Sequence, residues 1–547
     1  MRWFGKLCFL VLVPGLVVAQ TSTPTTGSTP ATSVADELKA LREAMAQQQQ
    51  QIAQQQQRID ALQKQLDTKT AGTPHVEDAT LRTNTPSDTV SAVASDTQQP
   101  EQAKESPLSF RIGGADFTPG GFVDFENVFR STNTGNITAT NFWTIPFSNT
   151  VQGHLTEYRA TGQYSRFNIK THTKFGSNDV TGYLEFDFNG NDAANVFVTS
   201  NPHTDRIRVY WLDLKRGQWE FLGGQSWGLL TPNRVGIGPM PSDKFLTIGE
   251  DAQVHVGVNY TRAGTFVAAW HPNPNFAWGV GVENPDQFAG QGEIIFPFAF
   301  NAQLGPQLDA ANQNTVPNVA PDLVTKLAWD SDPSGRHFHF EIGGLASTVK
   351  VTNLPTFLGA TFDHHAKMGG AVQTALNFEL IPKKVRFVAD GMWGNGDGRY
   401  LIGMAPQAVV LPNAAGNNVN VSLVHSGNAL VGFEMQPGKN TQFGFYYGGM
   451  YAQRLFGCDT SSPVVGTCSG HPFIGFGGPN SPNSANRSVQ EATIDWTQTF
   501  WRNPQYGALL LVTQASYVTR SPWFVAAGAP KNAHLTMGYV SLRYVLP

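Results

Sequence analysis

The charged residues of this chain fall into short rows at every second position. Arg166, Asn168, Lys170, His172 and Lys174 alternate with Phe167, Ile169, Thr171, Thr173 and Phe175. Glu185, Asp187 and Asn189 alternate with Leu184, Phe186 and Phe188, and Arg206, Arg208 and Tyr210 with Ile207, Val209 and Trp211. Asp124 and Glu126 have the same spacing. Residues two apart in a strand share a face, so each run lays a row of charge along a wall. Rows of opposite sign across a narrow passage create a transverse field that orients dipolar solutes and sets ion preference. The basic candidates for such a wall are Arg166, Lys170, Arg206 and Arg208. The acidic ones are Asp124, Glu126, Glu185 and Asp187. For any single residue, pairing with a cross-strand neighbour is the plainer reading. As a group the basic set is expected to guide anions.

Bond-making chemistry finds less support. His337 and His339 would place two imidazoles on one strand face, but no third metal ligand is evident, so polar lining is expected. His364 and His365 are expected in a loop before a strand. Asn395-Gly396-Asp397-Gly398 has the flavour of a calcium loop, yet four residues are too few for one and a strand-end turn accounts for them. No Ser/His/Asp spacing is diagnostic of catalysis. The expectation is therefore no enzyme, no metal and no cofactor. Cys458 and Cys468 form a close pair: one disulfide closing a small loop if the chain is exported, or two free thiols otherwise.

The elements that would hold these rows are strands. Seven short turn signals recur at 176–179, 215–218, 262–264, 331–335, 381–384, 437–440 and 503–505. Between them lie eight longer Asn/Pro/Gly-rich segments: 132–160, 190–204, 228–250, 285–320, 350–366, 396–425, 455–487 and 519–531. Fifteen connections join sixteen strands. Further rows fit: Gln253, His255 and Asn259 alternate with Val254, Val256, Val258 and Tyr260, and His337, His339 and Glu341 with Phe338, Phe340 and Ile342. The stretch 265–284 also reads as two short strands. A sheet this large with one wet face closes most simply as a barrel, which removes its edges. Composition agrees. Mean hydropathy is −0.23, glycine is 55 residues and aromatics are 11%. A helical membrane protein would need apolar runs of about 18 residues, and none exists. A net charge of −4 makes no case for nucleic acid.

The N-terminal fifth reads differently. Arg2 and Lys6 precede an apolar run, and Val17 and Ala19 are placed for cleavage, so 1–19 is expected to be a signal peptide. Residues 20–35 are Thr/Ser/Pro-rich and expected to be disordered. Over 36–67, Leu38, Met45, Ile52, Ile59 and Leu66 recur every seven residues, with Leu41 and Leu62 at the second apolar position and Gln48 and Gln55 between. That is an oligomerising coiled coil of about 45 Å at the usual rise. Residues 68–109 read as a flexible tether, and 110–547 as the barrel.

In the closing segment, Val540, Leu542, Tyr544 and Leu546 fall on one face and Ser541, Arg543 and Val545 on the other. The run Gly538-Tyr539-Val540-Ser541-Leu542-Arg543-Tyr544 resembles the terminal strand of outer-membrane barrels, with Leu546 and a trailing Pro547 where those end in Phe. Together with the heptads, the tether, the sixteen-strand pattern and the segment Leu222-Gly223-Gly224-Gln225-Ser226-Trp227, the chain resembles the DcaP-like trimeric outer-membrane porins. The resemblance implies an all-β fold: a 16-stranded antiparallel transmembrane β-barrel preceded by an α-helical coiled coil in the periplasm. It implies a homotrimer among outer-membrane lipid and lipopolysaccharide, and passive diffusion of small, often anionic, polar solutes such as organic acids. In porins of this size the third long loop commonly folds into the barrel. Here that loop is 228–250, with Arg234, Asp243 and Lys244 as its charges. Two other classes stay open: a barrel enzyme, and a structural or adhesive barrel whose coiled coil meets peptidoglycan.

Overall fold

The computed structural model describes residues 106–135, 138–190, 204–238, 255–285, 294–308, 320–402, 405–464 and 468–547. The expected signal peptide, disordered segment and coiled coil lie outside the described residues, as do Asp243 and Lys244 and the tether up to residue 105.

The chain forms a closed, antiparallel, sixteen-stranded β-barrel. Its strands are β1 (Ala115–Arg130), β2 (in two pieces, Glu157–Thr161 and Arg166–Phe175), β3 (Asn178–Gly190), β4 (Thr204–Arg216), β5 (Trp219–Trp227), β6 (Arg262–Asn273), β7 (Phe276–Glu283) and β8 (Asp322–Ser331). They continue as β9 (Phe338–Asn353), β10 (Asp363–Ile381), β11 (Val385–Asn395), β12 (His425–Gly438), β13 (Thr441–Ala452), β14 (Asn486–Asn503), β15 (Gly507–Pro522) and β16 (Ala533–Val545). Each pairs with the next. β16 returns to β1 with Asp124 opposite Arg543 and Phe125 opposite Leu542, which closes the cylinder. Closure matters because an open edge leaves unpaired backbone groups that a bilayer cannot satisfy.

The outer face carries an exposed apolar set, including Phe125, Ile207, Leu212, Phe266, Met368 and Leu542. Aromatic rings gather where strands meet the short turns: Trp219 packs on Phe221 and Trp270, and Trp501 on Tyr544. An apolar band flanked by aromatic residues is the surface a bilayer requires of a barrel. The inward positions of the closing strand near the short-turn end are Ser541, Arg543 and Val545; Val540, Leu542 and Tyr544 point out.

One expected strand is a different object. Residues 255–261 are not in the wall. They run inside the barrel, and Val256, Val258 and Tyr260 join an apolar cluster with Trp227, Leu401, Leu430 and Tyr446. Its backbone N–H groups turn to carboxylates of the wall: Val256 N–H donates to Glu491 at 2.8 Å and Asn259 N–H to Asp390 at 2.8 Å. Gly257, at φ +104°, makes this path possible; a Cβ there would collide with the carbonyl oxygen of Ala429. The expected turn at 262–264 is accordingly absent. Arg262 opens β6, and the turn is Pro274-Asn275, between the paired Asn273 and Phe276. The stretch 265–284 thus holds most of two strands, and the total stays at sixteen.

A second difference is one of register. Glu185 pairs with Val209 but Phe186 pairs with Ile207, so β4 carries a bulge at Arg208. A bulge seats two residues opposite one and flips the faces beyond it. Arg206 and Arg208 face inward, but Tyr210 then points out and Trp211 in, the reverse of the expected alternation. His364 and His365, expected in a loop, lie in β10, opposite Thr352 and Val351 of β9.

Candidate functional site

One side of the lumen, built by β1–β6 and β16, gathers arginines among aromatic rings. Arg166 begins the second piece of β2, and its guanidinium lies 4.7 Å from the Tyr164 ring centroid and 5.4 Å from that of Phe122. Arg543 of β16 reaches the same two rings, at 4.2 Å from Phe122 and 5.5 Å from Tyr164. Arg208 and Arg262 each lie 5.7 Å from the centroid of Trp227, which packs against Tyr260 at 4.9 Å. Such stacking keeps a guanidinium in place while its edge still offers donors.

The carboxylates of β3 hold this group together. Arg206 donates to both oxygens of Asp187, from Nε at 3.0 Å and Nη2 at 2.7 Å. Arg208 donates to Glu185 at 2.7 Å and to Asp187 at 3.0 Å. Tyr183 donates to the second oxygen of Glu185 at 2.8 Å. Four guanidiniums, Arg166, Arg206, Arg208 and Arg262, therefore lie within electrostatic reach of two carboxylates. The side chain of Arg206 is 35% exposed and that of Arg208 only 7%. Arg206 meets lumen water, and Arg208 is a buried strut. Lys170 is exposed on the same inward row, opposite Tyr183. Lys174 and His172 both approach Asp179, at 3.2 and 2.9 Å. Asp124 accepts from Arg543 at 2.8 Å and from the Ser541 hydroxyl, and Glu126 is buried one inward step further along β1.

The facing wall, β7–β14, spends its charges on the chain segment between β5 and β6. Leu229 N–H donates to Glu283 at 2.7 Å and Asn233 N–H to Glu341 at 3.0 Å. Lys326 reaches the Thr231 carbonyl at 2.8 Å and Glu341 at 3.0 Å. Arg234 forms a two-pronged pair with Glu434, at 2.7 and 2.9 Å. Gly236 N–H donates to Asp330 at 2.9 Å. Residues 228–238 are thus held across the barrel interior by carboxylates from four different strands. A second inserted segment follows β11. Arg399 clamps Asp322 through Nη2 at 2.5 Å and Nε at 3.0 Å, and the Tyr400 hydroxyl donates to Asp322 at 2.9 Å. Tyr260 N–H donates to the Tyr400 carbonyl at 3.0 Å, which docks one inserted segment on the other. Burial raises the Tyr260 phenol above its ordinary value, against the pull of Arg262 and Arg208, so it stays neutral. Burial likewise raises the Asp397 carboxyl to about 7, opposed by the Ser426 hydroxyl that donates to it at 2.5 Å.

The other residues singled out in the sequence have plain environments. His339 sits between Asp330 at 2.8 Å and Glu341 at 3.1 Å. His337 meets the Arg234 carbonyl at 3.2 Å, so both rings serve the inserted segment. Among the described residues no group of His, Cys, Asp and Glu side chains is arranged to hold a metal ion. Cys458 and Cys468 are joined in a disulfide, with Cα atoms 5.5 Å apart, beside a hairpin of Leu455–Cys458 and Phe473–Phe476.

Four members of the basic wall escaped the sequence reading as site residues: Arg262, Arg543, Trp227 and Tyr164. Arg543 carried a usable signal, since it shares a strand face with Ser541 and Val545. Arg262 carried none, because it was read as part of a turn.

No family model and no curated protein sequence matches the chain. Solved structures do. The outer-membrane channel DcaP of Acinetobacter baumannii is similar with a TM-score of 0.54 at 17% identity, over 80% of this chain and 100% of that one. OmpF of Salmonella typhi, solved with daunomycin, gives 0.43 at 11% identity over 80% of this chain and 100% of that one. OprB of Pseudomonas putida gives 0.42 at 11% identity, over 78% and 94%. At such identities the first likeness establishes the fold.

Proposed function

We propose that this chain is an outer-membrane porin: a water-filled channel through which small hydrophilic solutes diffuse passively, with a preference for anions such as organic acids. The observation that carries the reading is a closed sixteen-strand barrel, apolar outside and charged within. Barrels of sixteen to eighteen strands enclose an aqueous channel. The pore runs between the basic wall and the inserted segments 228–238 and 255–261, which narrow it. Anion preference rests on the guanidinium excess around Glu185 and Asp187, with Arg206 as the accessible member. The fold shared with a protein described as an outer-membrane channel supports the same reading.

In this proposal residues 1–19 direct export. The heptads of 36–67 assemble a periplasmic coiled coil under a homotrimer, and the tether of 68–109 links it to the barrel. The test is planar-bilayer conductance of the mature protein with reversal potential in a KCl gradient. Conductance steps in threes and an anion-side reversal potential are expected. A silent bilayer from demonstrably folded, inserted protein would overturn the channel and favour an enzyme or adhesive barrel. Single steps from a monodisperse monomer would remove the trimer alone.

A further inference from the structure

A cluster of rings and guanidiniums stands apart from the basic wall, with Trp523 at its centre. It lies where β13, β14 and β15 reach the long-loop end. Trp523 directly follows β15. Its ring meets Tyr451 of β13 edge to face at 6.0 Å, and Tyr451 stacks on Trp393 of β11 at 6.2 Å. Trp393 is 58% exposed and Tyr451 37%. Both alternate with buried neighbours, so they stand on the outer face. The Trp523 indole N–H donates to the Ala452 carbonyl at 2.9 Å, which holds the ring in place.

Two guanidiniums lie over this one ring. Arg454 is 5.7 Å from its centroid and Arg487 is 6.0 Å; Arg454 also lies 6.0 Å from the Phe456 centroid. Arg487 is brought there by a bulge. Asn486 pairs with Pro522 and Ser488 with Ser521, so Arg487 is the extra residue of β14 and projects freely. Both arginines are exposed. Neither has a carboxylate within ion-pair distance among the described residues. The lumen differs: there Arg206, Arg208, Arg234 and Arg399 all face carboxylates.

Two like charges over one aromatic ring repel each other, and an anion between or beside them relieves that repulsion. Arginine favours phosphate because its planar fork donates two parallel hydrogen bonds. Aromatic side chains at a barrel rim mark the level of lipid head groups. We propose that Arg454, Arg487 and Trp523 bind the phosphate of a phosphorylated glycolipid of the lipid A class in the leaflet next to the long loops, with Tyr451 and Trp393 against its sugar and upper acyl chains. The site rests on the proposed outer-membrane placement, but not on solute passage.

The experiment is native mass spectrometry of the detergent-purified full chain with bisphosphorylated lipid A, dephosphorylated lipid A, or excess inorganic phosphate as competitor. Wild-type protein is expected to retain the phosphorylated lipid at least ~10-fold better than the dephosphorylated one, the scale of one or two charge-assisted hydrogen bonds. R454Q/R487Q is expected to lose that margin while keeping heat-modifiable mobility and conductance. Equal retention of the two lipids, or unchanged selectivity in the double variant, would overturn the site. Displacement of the lipid by inorganic phosphate would overturn the lipid assignment in favour of a free-anion site. Should the double variant fail to fold, R454Q and R487Q singly are each expected to reduce the margin, and no reduction in either would overturn the proposal. A silent bilayer with lipid selectivity intact would sink the channel reading and leave this one standing.

Discussion

The two halves of the inner wall use the same residue types for different ends. On β1–β6 and β16, arginines and carboxylates pair with each other across neighbouring strands, and Arg206 keeps an exposed edge toward the lumen. On β7–β14, Lys326 and Glu341 have no solvent exposure at all; they form an ion pair with each other and hydrogen-bond to the inserted segment. An inward-facing charge is therefore not the same thing as a pore-facing charge. Some, such as Arg206, form the electrostatic surface that a solute would meet, and others are mortar. The distinction has an energetic basis. A buried charge that loses its partner costs several kcal/mol, whereas a half-exposed one is screened by water and costs far less.

The largest effect should come from breaking the mortar. Lys326→Met takes the ammonium from the buried Glu341, which keeps the His339 ring and the Asn233 N–H, and leaves the Thr231 carbonyl without its donor. A loss of about 3–5 kcal/mol is expected, read as a lower unfolding temperature of the barrel and noisy, enlarged conductance. Unchanged stability and a quiet pore would mean that the inserted segment is held by its apolar contacts alone. Next in size is a change on the other wall. Arg206→Glu sets a new negative charge beside Asp187 at a half-exposed arginine of the basic wall. Stability should fall by about 1 kcal/mol or less for a half-exposed position, yet reversal potential should move toward cations. If Lys326→Met shifts selectivity as much as Arg206→Glu does, the division between the walls is wrong.

The last effect concerns acid. The Asp397 carboxyl has a folded-state value of about 7, well above its unfolded value. A raised acid stabilises the fold most below pH ~4, and that contribution is lost as pH rises through about 7. The ceiling is roughly 4 kcal/mol from the size of the shift. Thermal unfolding at pH 5 and pH 8 should therefore differ for the wild type, with the protein less stable at pH 8, and the difference should shrink in Asp397→Asn. An equal pH dependence in both would show that Asp397 does not titrate in this window.

Much of this molecule is legible from residue order. The alternation in 166–175 and 184–189 assigned Arg166, Lys170, Glu185 and Asp187 to the inner face, because a strand has a period of two and needs no partner to express it. Turn chemistry at 176–179, 381–384 and 437–440 located hairpins, because Gly, Asn and Pro bias the backbone locally. The failures share a cause. Val254 to Tyr260 alternates like a strand, yet its hydrogen bonds go to carboxylates some 130 and 235 residues away. The β4 bulge inverts Tyr210 and Trp211, and nothing between Thr204 and Arg216 announces it.

What the order of residues determined by itself was the alternating faces, the turns and so the number of crossings. Each is set by backbone geometry over a few neighbours. What only the tertiary structure decided was strand register, the choice between wall and inserted segment at 255–261, and which inward charges are consumed. Those depend on closing β16 onto β1 and on carboxylates that meet their donors only once the cylinder exists. Arg206 and Lys326 are both inward cations. Closure alone leaves the first at the water and seals the second behind Thr231 and Glu341.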